Sequence, residues 1–331
     1  MKKRLSIQEY TNGIIAGNRM ILSRAITLIE SNLQEDKQLA QDVLESTLPF
    51  TGKAVRIGIT GVPGVGKSTF IETFGKYLTS LNKKIAVLAI DPSSQLTKGS
   101  ILGDKTRMEE LAHEPLAYIR PSPTGASLGG VTYKTRETML LCEAAGFEVV
   151  IIETVGVGQS ETYVHGMVDF FLLLMLAGAG DELQGIKKGI MEMSDLIAIT
   201  KADSGNEHQA NLAKNEYESA LHTFPPSGSG WFPEVVVCSA TEKKGIAEIW
   251  ELVEKHRELL TKNGKFVENR QRQNLAWMHD FIKQSLAQNF YTNSNVSTKI
   301  KAIQNDVSEG KKLPIHAGLE LLEVFYNKNN E

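Results

Sequence analysis

The chain has 331 residues, 41% of them hydrophobic and 23% charged, and a formal net charge of −3. This supplies apolar material for one large domain with extensions, or for two domains, and the missing basic excess argues against a nucleic-acid binder. Its longest apolar run, Phe170 to Gly180, is shorter than the ~20 residues a membrane-spanning helix needs, and the basic start Met1-Lys-Lys-Arg4 leads into polar residues instead of a signal-peptide core, so a cytoplasmic protein is expected.

Residues 5–48 read as helical. Ile14, Ile15, Ile21, Leu22, Ala25, Ile26, Leu28 and Ile29 recur at helical spacing, and Pro49 with Gly52 ends the stretch. From Ala54 the pattern changes to short apolar runs alternating with helical segments. The runs are Val55–Thr60, Ile85–Ile90, Val149–Ile152, Phe170–Leu176, Leu196–Thr200 and Val235–Cys238. Several lack polar alternation, as strands covered on both faces do, and alternation with helices predicts βαβ units. The expected fold is therefore α/β, a doubly wound and mostly parallel sheet. The tail from 262 is helical and polar. It shows a break at Tyr291–Ser297, and Leu313-Pro314 and His316-Ala-Gly318 precede a last short amphipathic helix. The expected division is a helical extension over 1–50, an α/β domain over 51–261 and a helical arm over 262–331. Cys142 and Cys238 form no C-x-x-C, so buried thiols are expected.

The strongest motif follows the first strand: Gly61, Val62, Pro63, Gly64, Val65, Gly66, Lys67, Ser68 and Thr69 fit G-x-x-x-x-G-K-[ST]. Glycines let the backbone curl so that successive N–H groups point at phosphate oxygens. The next helix turns its N-terminal dipole to the same anion. Lys67 adds charge for the β- and γ-phosphates, and Ser68 adds a hydroxyl for Mg²⁺. That ion takes oxygen ligands, and two further strands end in acids: the second in Asp91, the third in Glu153. Glu153-Thr-Val-Gly156 resembles a D-x-x-G element with Glu in place of Asp, and the Gly156 N–H could sense the γ-phosphate. Asp104, in Gly103-Asp-Lys-Thr-Arg-Met108, reads by itself as a solvated loop charge.

Thr200-Lys201-Ala202-Asp203 fits the [NT]-K-x-D pattern, with Thr200 where Asn is commoner. Asp203 can accept from guanine N1–H and its exocyclic amine, which adenine does not offer, and Lys201 can lay its stem across the base. Ser239-Ala240-Thr241 resembles the last guanine-contacting loop.

In order, G-x-P-G-x-G-K-S-T, D-P-S-S, G-D-x-T-R-M, E-T-V-G-x-G-Q-S-E and G-D-x-L-Q-G-I-K-x-G resemble the methylmalonyl-CoA mutase-associated GTPases, the MeaB- or ArgK-like family. The similarity spans about 55–250 closely and the flanks loosely. It implies a P-loop core of the SIMIBI class with an N-terminal helical extension and a C-terminal dimerisation arm, hence a homodimer. It implies GTP and GDP as ligands and Mg²⁺ held by Ser68, Asp91, Asp104 and Glu153. It also implies a chaperone that gates adenosylcobalamin delivery to a cobalamin-dependent acyl-CoA mutase, methylmalonyl-CoA mutase first, and protects it. Asp181-Glu-Leu-Gln-Gly-Ile-Lys-Lys188 matches the segment called switch III, in which Asp181, Gln184 and Lys187 are the candidate participants with Lys67 in catalysis; Asp104 belongs to switch I. No glutamine directly follows Gly156: Val157 does, and Gln159 comes two positions later, so slow hydrolysis without a partner is expected. Alternatives are a chaperone of another acyl-CoA mutase and a nickel-insertion GTPase, though the seven histidines are scattered. An ATP-using kinase would conflict with the guanine motif.

Overall fold

A computed structural model describes residues 4–90, 108–121, 128–154, 160–178, 184–225 and 228–326, with backbone alone for 128–132, 160 and 184–187. The chain forms two compact units, Met1–Asn269 and Arg270–Glu331.

The first unit is built on one seven-stranded sheet. The strands are β1 (Val55–Gly61), β2 (Ile85–Ile90), β3 (Ala117–Arg120), β4 (Val149–Thr154), β5 (Phe170–Leu176), β6 (Leu196–Thr200) and β7 (Glu234–Val237). Their order is β3-β2-β4-β1-β5-β6-β7, and every adjacent pair is parallel. The chain leaves β1 to one side, returns through β4 beside it and crosses to β5 on its other side. The order therefore reverses around β1, which opens a crevice beyond the carboxyl ends of the strands.

Side chains alternate between two covered faces, which is why the strands carry so little polar patterning. Ile57, Ile151 and Phe170 are in register across three strands and face one core. There they meet α4 (Lys67–Ser80) and α10 (Ile246–Lys262), through Phe70, Phe74, Ile249 and Trp250. The next residues along, Ile152 and Phe171, face the opposite core. It is formed with α1 (Ile7–Ile15), α2 (Arg19–Glu30), α3 (Gln34–Thr47) and α6 (Leu128–Ala144). The N-terminal helices are thus part of the core of this unit. Short helices α5 (Glu109–Ala112) and α7 (Ser160–His165) flank the sheet, and α8 (Gln184–Met193) and α9 (Glu207–Leu221) cover β5–β7.

A buried ion pair fixes β1 to α6. Arg56 Nε donates to Glu143 Oε1 at 2.6 Å and Nη2 donates to Oε2 at 3.2 Å, with both side chains nearly inaccessible. The N–H of Gly52 also donates to Glu143 Oε2, at 2.6 Å. Both cysteines are buried free thiols, and burial raises the pKa of each.

Helix α11 runs over Lys265–Thr292 and has no buried residue. In the second unit α12 (Ser294–Ser308) and α13 (Pro314–Tyr326) pack through Val296, Ile303, Ala317 and Leu321, with Phe290 and Phe325 against them. Two expectations for the tail change. The predicted break narrows to Asn293, whose side chain accepts from the N–H groups of Asn295 and Val296 and caps α12. The last helix starts at Pro314 and includes His316–Gly318, because proline suits the first helical position, where its missing N–H has no partner to lose. β3 is a strand the apolar pattern does not show. Among the described residues no helix is long and apolar enough to cross a membrane.

Candidate nucleotide site

The loop from Gly61 to Gly66 joins the end of β1 to the start of α4 at the point where the strand order reverses. Its shape depends on glycine. A Cβ at Gly61 would lie 2.5 Å from the Leu174 carbonyl oxygen, and Gly66 adopts φ +90° at the N-cap of α4, a conformation open to glycine at little cost. Val65 is buried and anchors the loop, and its N–H donates to the Val62 carbonyl. Pro63 and Gly64 form the exposed rim.

Two lysines fold over this loop. Lys67 Nζ donates to the Gly61 carbonyl at 2.8 Å, and Lys201 Nζ donates to the Gly64 carbonyl at 2.9 Å. Burial pulls the Lys67 ammonium below its ordinary pKa, and the Glu153 and Glu161 carboxylates oppose that shift. Both ammonium groups therefore lie beside the curl that would receive phosphates, held by weak neutral acceptors that an anion can outcompete. Glu161 is buried in the first turn of α7. It stands in the Gln159-Ser-Glu161 run of the sequence, but only the fold brings its charge to Lys67.

Ser68 and Glu153 meet. The Ser68 hydroxyl donates to Glu153 Oε1 at 3.4 Å, from the first turn of α4 to the end of β4. Beside them Thr154 donates to Thr60 across β4 and β1 at 2.8 Å. A hydroxyl and a carboxylate are hard oxygen donors of the kind Mg²⁺ takes, so these two residues fit the ion. Asp91, Asp104 and Gly156 lie outside the described residues, as does Asp181. Gln184 and Lys187 lie on α8, with their side chains outside the described set.

The base motif assembles at the ends of β6 and β7. Lys201 has φ +59°, which turns the chain so that Asp203 faces the 239–241 loop. Asp203 Oδ2 accepts from the Ser239 hydroxyl and from the Thr241 hydroxyl, the latter at 2.7 Å. These bonds, Ser239 first, hold the Asp203 carboxyl below its ordinary pKa. Asn206 donates to the Lys201 carbonyl at 2.9 Å, and the Ala202 N–H donates to the Cys238 carbonyl. Ala240 touches the core, and its carbonyl accepts from Thr73 of α4 at 3.1 Å. Thr200 is buried, and its hydroxyl faces two acceptors: the Val65 carbonyl at 2.9 Å and the Met175 carbonyl at 3.2 Å. It ties the phosphate loop to β5 and β6. The sequence marks Thr200 only as a departure from Asn. A cavity of about 690 Å³ starts at Thr69 and Thr73 beside Ala240 and Thr241 and runs down α4 to Lys76 and Ser80.

A family model described as methylmalonyl-CoA mutase-associated GTPase MeaB matches residues 22–295. The chain belongs to the MeaB family. A probable GTPase of Mycobacterium bovis is 46% identical over 96% of this chain and 95% of its own length. GTPase ArgK of Escherichia coli is 48% identical over 84% of each chain. The mouse mitochondrial methylmalonic aciduria type A homolog is 41% identical, over 99% of this chain and 81% of its own. Among solved structures, a LAO/AO transport system kinase superposes with a TM-score of 0.78 at 37% identity, over 98% of both chains. This MeaB-family member is a P-loop GTPase that binds guanine nucleotide.

Proposed function

We propose that this MeaB-family GTPase hydrolyses GTP with Mg²⁺ in the service of a cobalamin-dependent acyl-CoA mutase, with methylmalonyl-CoA mutase as the first choice. The observation that carries the nucleotide half is the preset Asp203. Its two hydroxyl partners are both on Oδ2, and Oδ1 would accept from guanine N1–H and the exocyclic amine. The partner half rests on family membership. Homodimerisation and a cytoplasmic setting belong to the same proposal.

Hydrolysis of GTP transfers the γ-phosphoryl group to water, breaks its bond to the β–γ bridging oxygen and releases GDP. Catalysis of this kind is mostly positioning and charge stabilisation. The loop N–H groups and Lys67 hold the β- and γ-phosphates, and Lys67 exchanges the Gly61 carbonyl for phosphate oxygen. Ser68 and Glu153 would hold Mg²⁺, with Asp91 and Asp104 completing its protein ligands. The ion would neutralise charge on the β- and γ-oxygens. Gly156 reports the γ-phosphate through its N–H. With Val157 where a water-orienting glutamine would stand, the isolated protein turns over slowly. A mutase completes the site by positioning the Asp181–Lys188 segment, with Asp181 and Gln184 orienting groups and Lys187 adding a cation.

The deciding measurement is GTP turnover with and without purified methylmalonyl-CoA mutase, with ATP in parallel. Strong stimulation confined to GTP is expected. GTP binding without stimulation would move the partner to another acyl-CoA mutase. The same assay tests the switch segment: Lys187→Ala should lose most of the stimulated rate and keep the basal one, and unchanged stimulation removes Lys187 from the mechanism.

A further inference from the structure

A threonine inside a helix commonly turns its hydroxyl back to a carbonyl of the preceding turn. Thr11, Thr27 and Thr47 do so, each donating to the carbonyl four residues earlier, and Thr79 of α4 donates back to the Lys76 carbonyl. Thr73, in the second turn of the same helix, reaches outward. Its hydroxyl donates to the Ala240 carbonyl at 3.1 Å, across a sequence separation of 167 residues. Ala240 stands between the two residues that hold the base-reading carboxylate. The Ser239 and Thr241 hydroxyls both donate to Asp203 Oδ2, and their oxygens lie 3.0 Å apart. Ser239 Oγ also accepts from the Glu242 N–H at 3.0 Å. Because the peptide is planar, fixing the Ala240 carbonyl fixes the plane that leads into Thr241. A chain of contacts thus runs from α4, whose first turn carries Lys67 and Ser68, through Thr73 and Ala240 to Asp203. Thr73, Ala240 and Thr241 all line the cavity of about 690 Å³, so open space, not packed side chains, lies along this side of the loop.

We infer that Thr73 is a positioning residue for base recognition: by holding the Ala240 carbonyl it sets the 239–241 loop, and with it Asp203, relative to the helix that receives the phosphates. This inference rests on the guanine reading proposed above. Without the hydroxyl, water in the cavity can satisfy the Ala240 carbonyl, so the fold loses little. What goes is the fixed spacing between the two halves of the site. Contacts to the base then weaken, while those to the phosphates stay.

The experiment measures the affinities of GTP, ITP and ATP, each with Mg²⁺, for the full-length wild type and for Thr73→Val, Thr73→Ala and Thr73→Ser, with a melting temperature for each protein. Guanine offers Asp203 two donors, hypoxanthine only N1–H and adenine neither. Valine keeps the shape and deletes the proton, alanine deletes it in a residue that helices favour, and serine keeps it. The wild type should prefer GTP to ATP by about tenfold or more, the worth of hydrogen bonds to a charged group. In Thr73→Val and Thr73→Ala, GTP should weaken by about fivefold, part of that preference, ITP by less and ATP hardly at all. Thr73→Ser should match the wild type, and all four proteins should melt at similar temperatures. Equal losses for the three nucleotides would make Thr73 a prop of the phosphate helix and overturn the inference. So would unchanged GTP affinity in the valine and alanine variants, or a serine variant as weak as they are. A wild type that binds all three nucleotides equally would overturn the guanine reading itself and the inference with it.

Discussion

At the scale of single residues the base motif gives the sharpest tests. In Asp203→Asn the amide can donate to the 2-oxygen of xanthine and no longer accepts from the guanine amine. GTP affinity should fall by tenfold or more while XTP gains, because a hydrogen bond to a charged group is lost on one side and a complementary one forms on the other. Competitive nucleotide binding reads both arms, and full GTP affinity in the variant would remove Asp203 from base reading. Thr200→Val keeps the shape of the side chain and deletes its proton. It leaves the Val65 and Met175 carbonyls without their hydroxyl donor, at a cost of about 1–3 kcal/mol. Denaturant unfolding should report that loss, and GTP should bind several-fold more weakly because the phosphate loop is less firmly held. Most of these residues were legible beforehand, since Gly61–Thr69, Lys201, Asp203 and Ser239–Thr241 are contiguous motifs with one chemical reason each. Glu161 and the Thr200 tie were not. Each acts on a residue distant in sequence, Lys67 or Val65, and no local pattern records such a pairing.

At the scale of elements, β1 and α6 depend on each other through Arg56 and Glu143. Glu143→Ala leaves a buried guanidinium without its carboxylate and should cost about 3–5 kcal/mol. Replacing both by apolar residues, Arg56→Met with Glu143→Leu, should recover most of it, because a buried ion pair contributes little net stability against good apolar packing. Urea midpoints of the single and double variants decide the matter, and a single-variant loss below about 1 kcal/mol would be inconsistent with a buried pair. Farther up α6, burial pushes the Glu137 carboxyl up to about 7, and Lys134 opposes the shift. The folded state then holds a proton that the unfolded chain gives up near 4.5, so stability falls as pH rises between those values and through 7. Glu137→Gln should raise the melting temperature at pH 8 and leave it nearly unchanged at pH 5. A gain of equal size at both pH values would exclude this titration. The sequence pattern reached the five inner strands, because continuous burial leaves them nearly all apolar, and the edge strand β7 through its run of three valines. It missed β3, whose four residues at the sheet edge, Ala117–Arg120, include Tyr118 and Arg120 and are mostly half-buried. Short edge strands lack the repeated burial that makes an apolar run.

At the scale of the whole molecule the open question is what covers α11. Leu275, Met278, Ile282 and Leu286 follow at spacings of three, four and four residues, so they share one face of the helix. They are 59%, 48%, 44% and 59% exposed in the single chain. A stripe of this kind ordinarily marks an interaction surface. The sequence leaves its partner undecided, because the periodicity of a helix packed on its own core is the same as that of a helix packed on a second copy. The proposed homodimer supplies the second copy. Leu275→Asp combined with Ile282→Asp puts two carboxylates into that face, where burial without partners is costly. In size-exclusion chromatography with light scattering the wild type should run at twice the 36.5 kDa chain mass and the double variant at once that mass. GTP affinity should stay within about twofold, since the phosphate loop and the base motif lie wholly within Met1–Asn269. A monomeric wild type would exclude the homodimer. A variant that stays dimeric would move the interface away from this stripe, and one that loses GTP binding together with dimerisation would mean the nucleotide site is completed by the second copy.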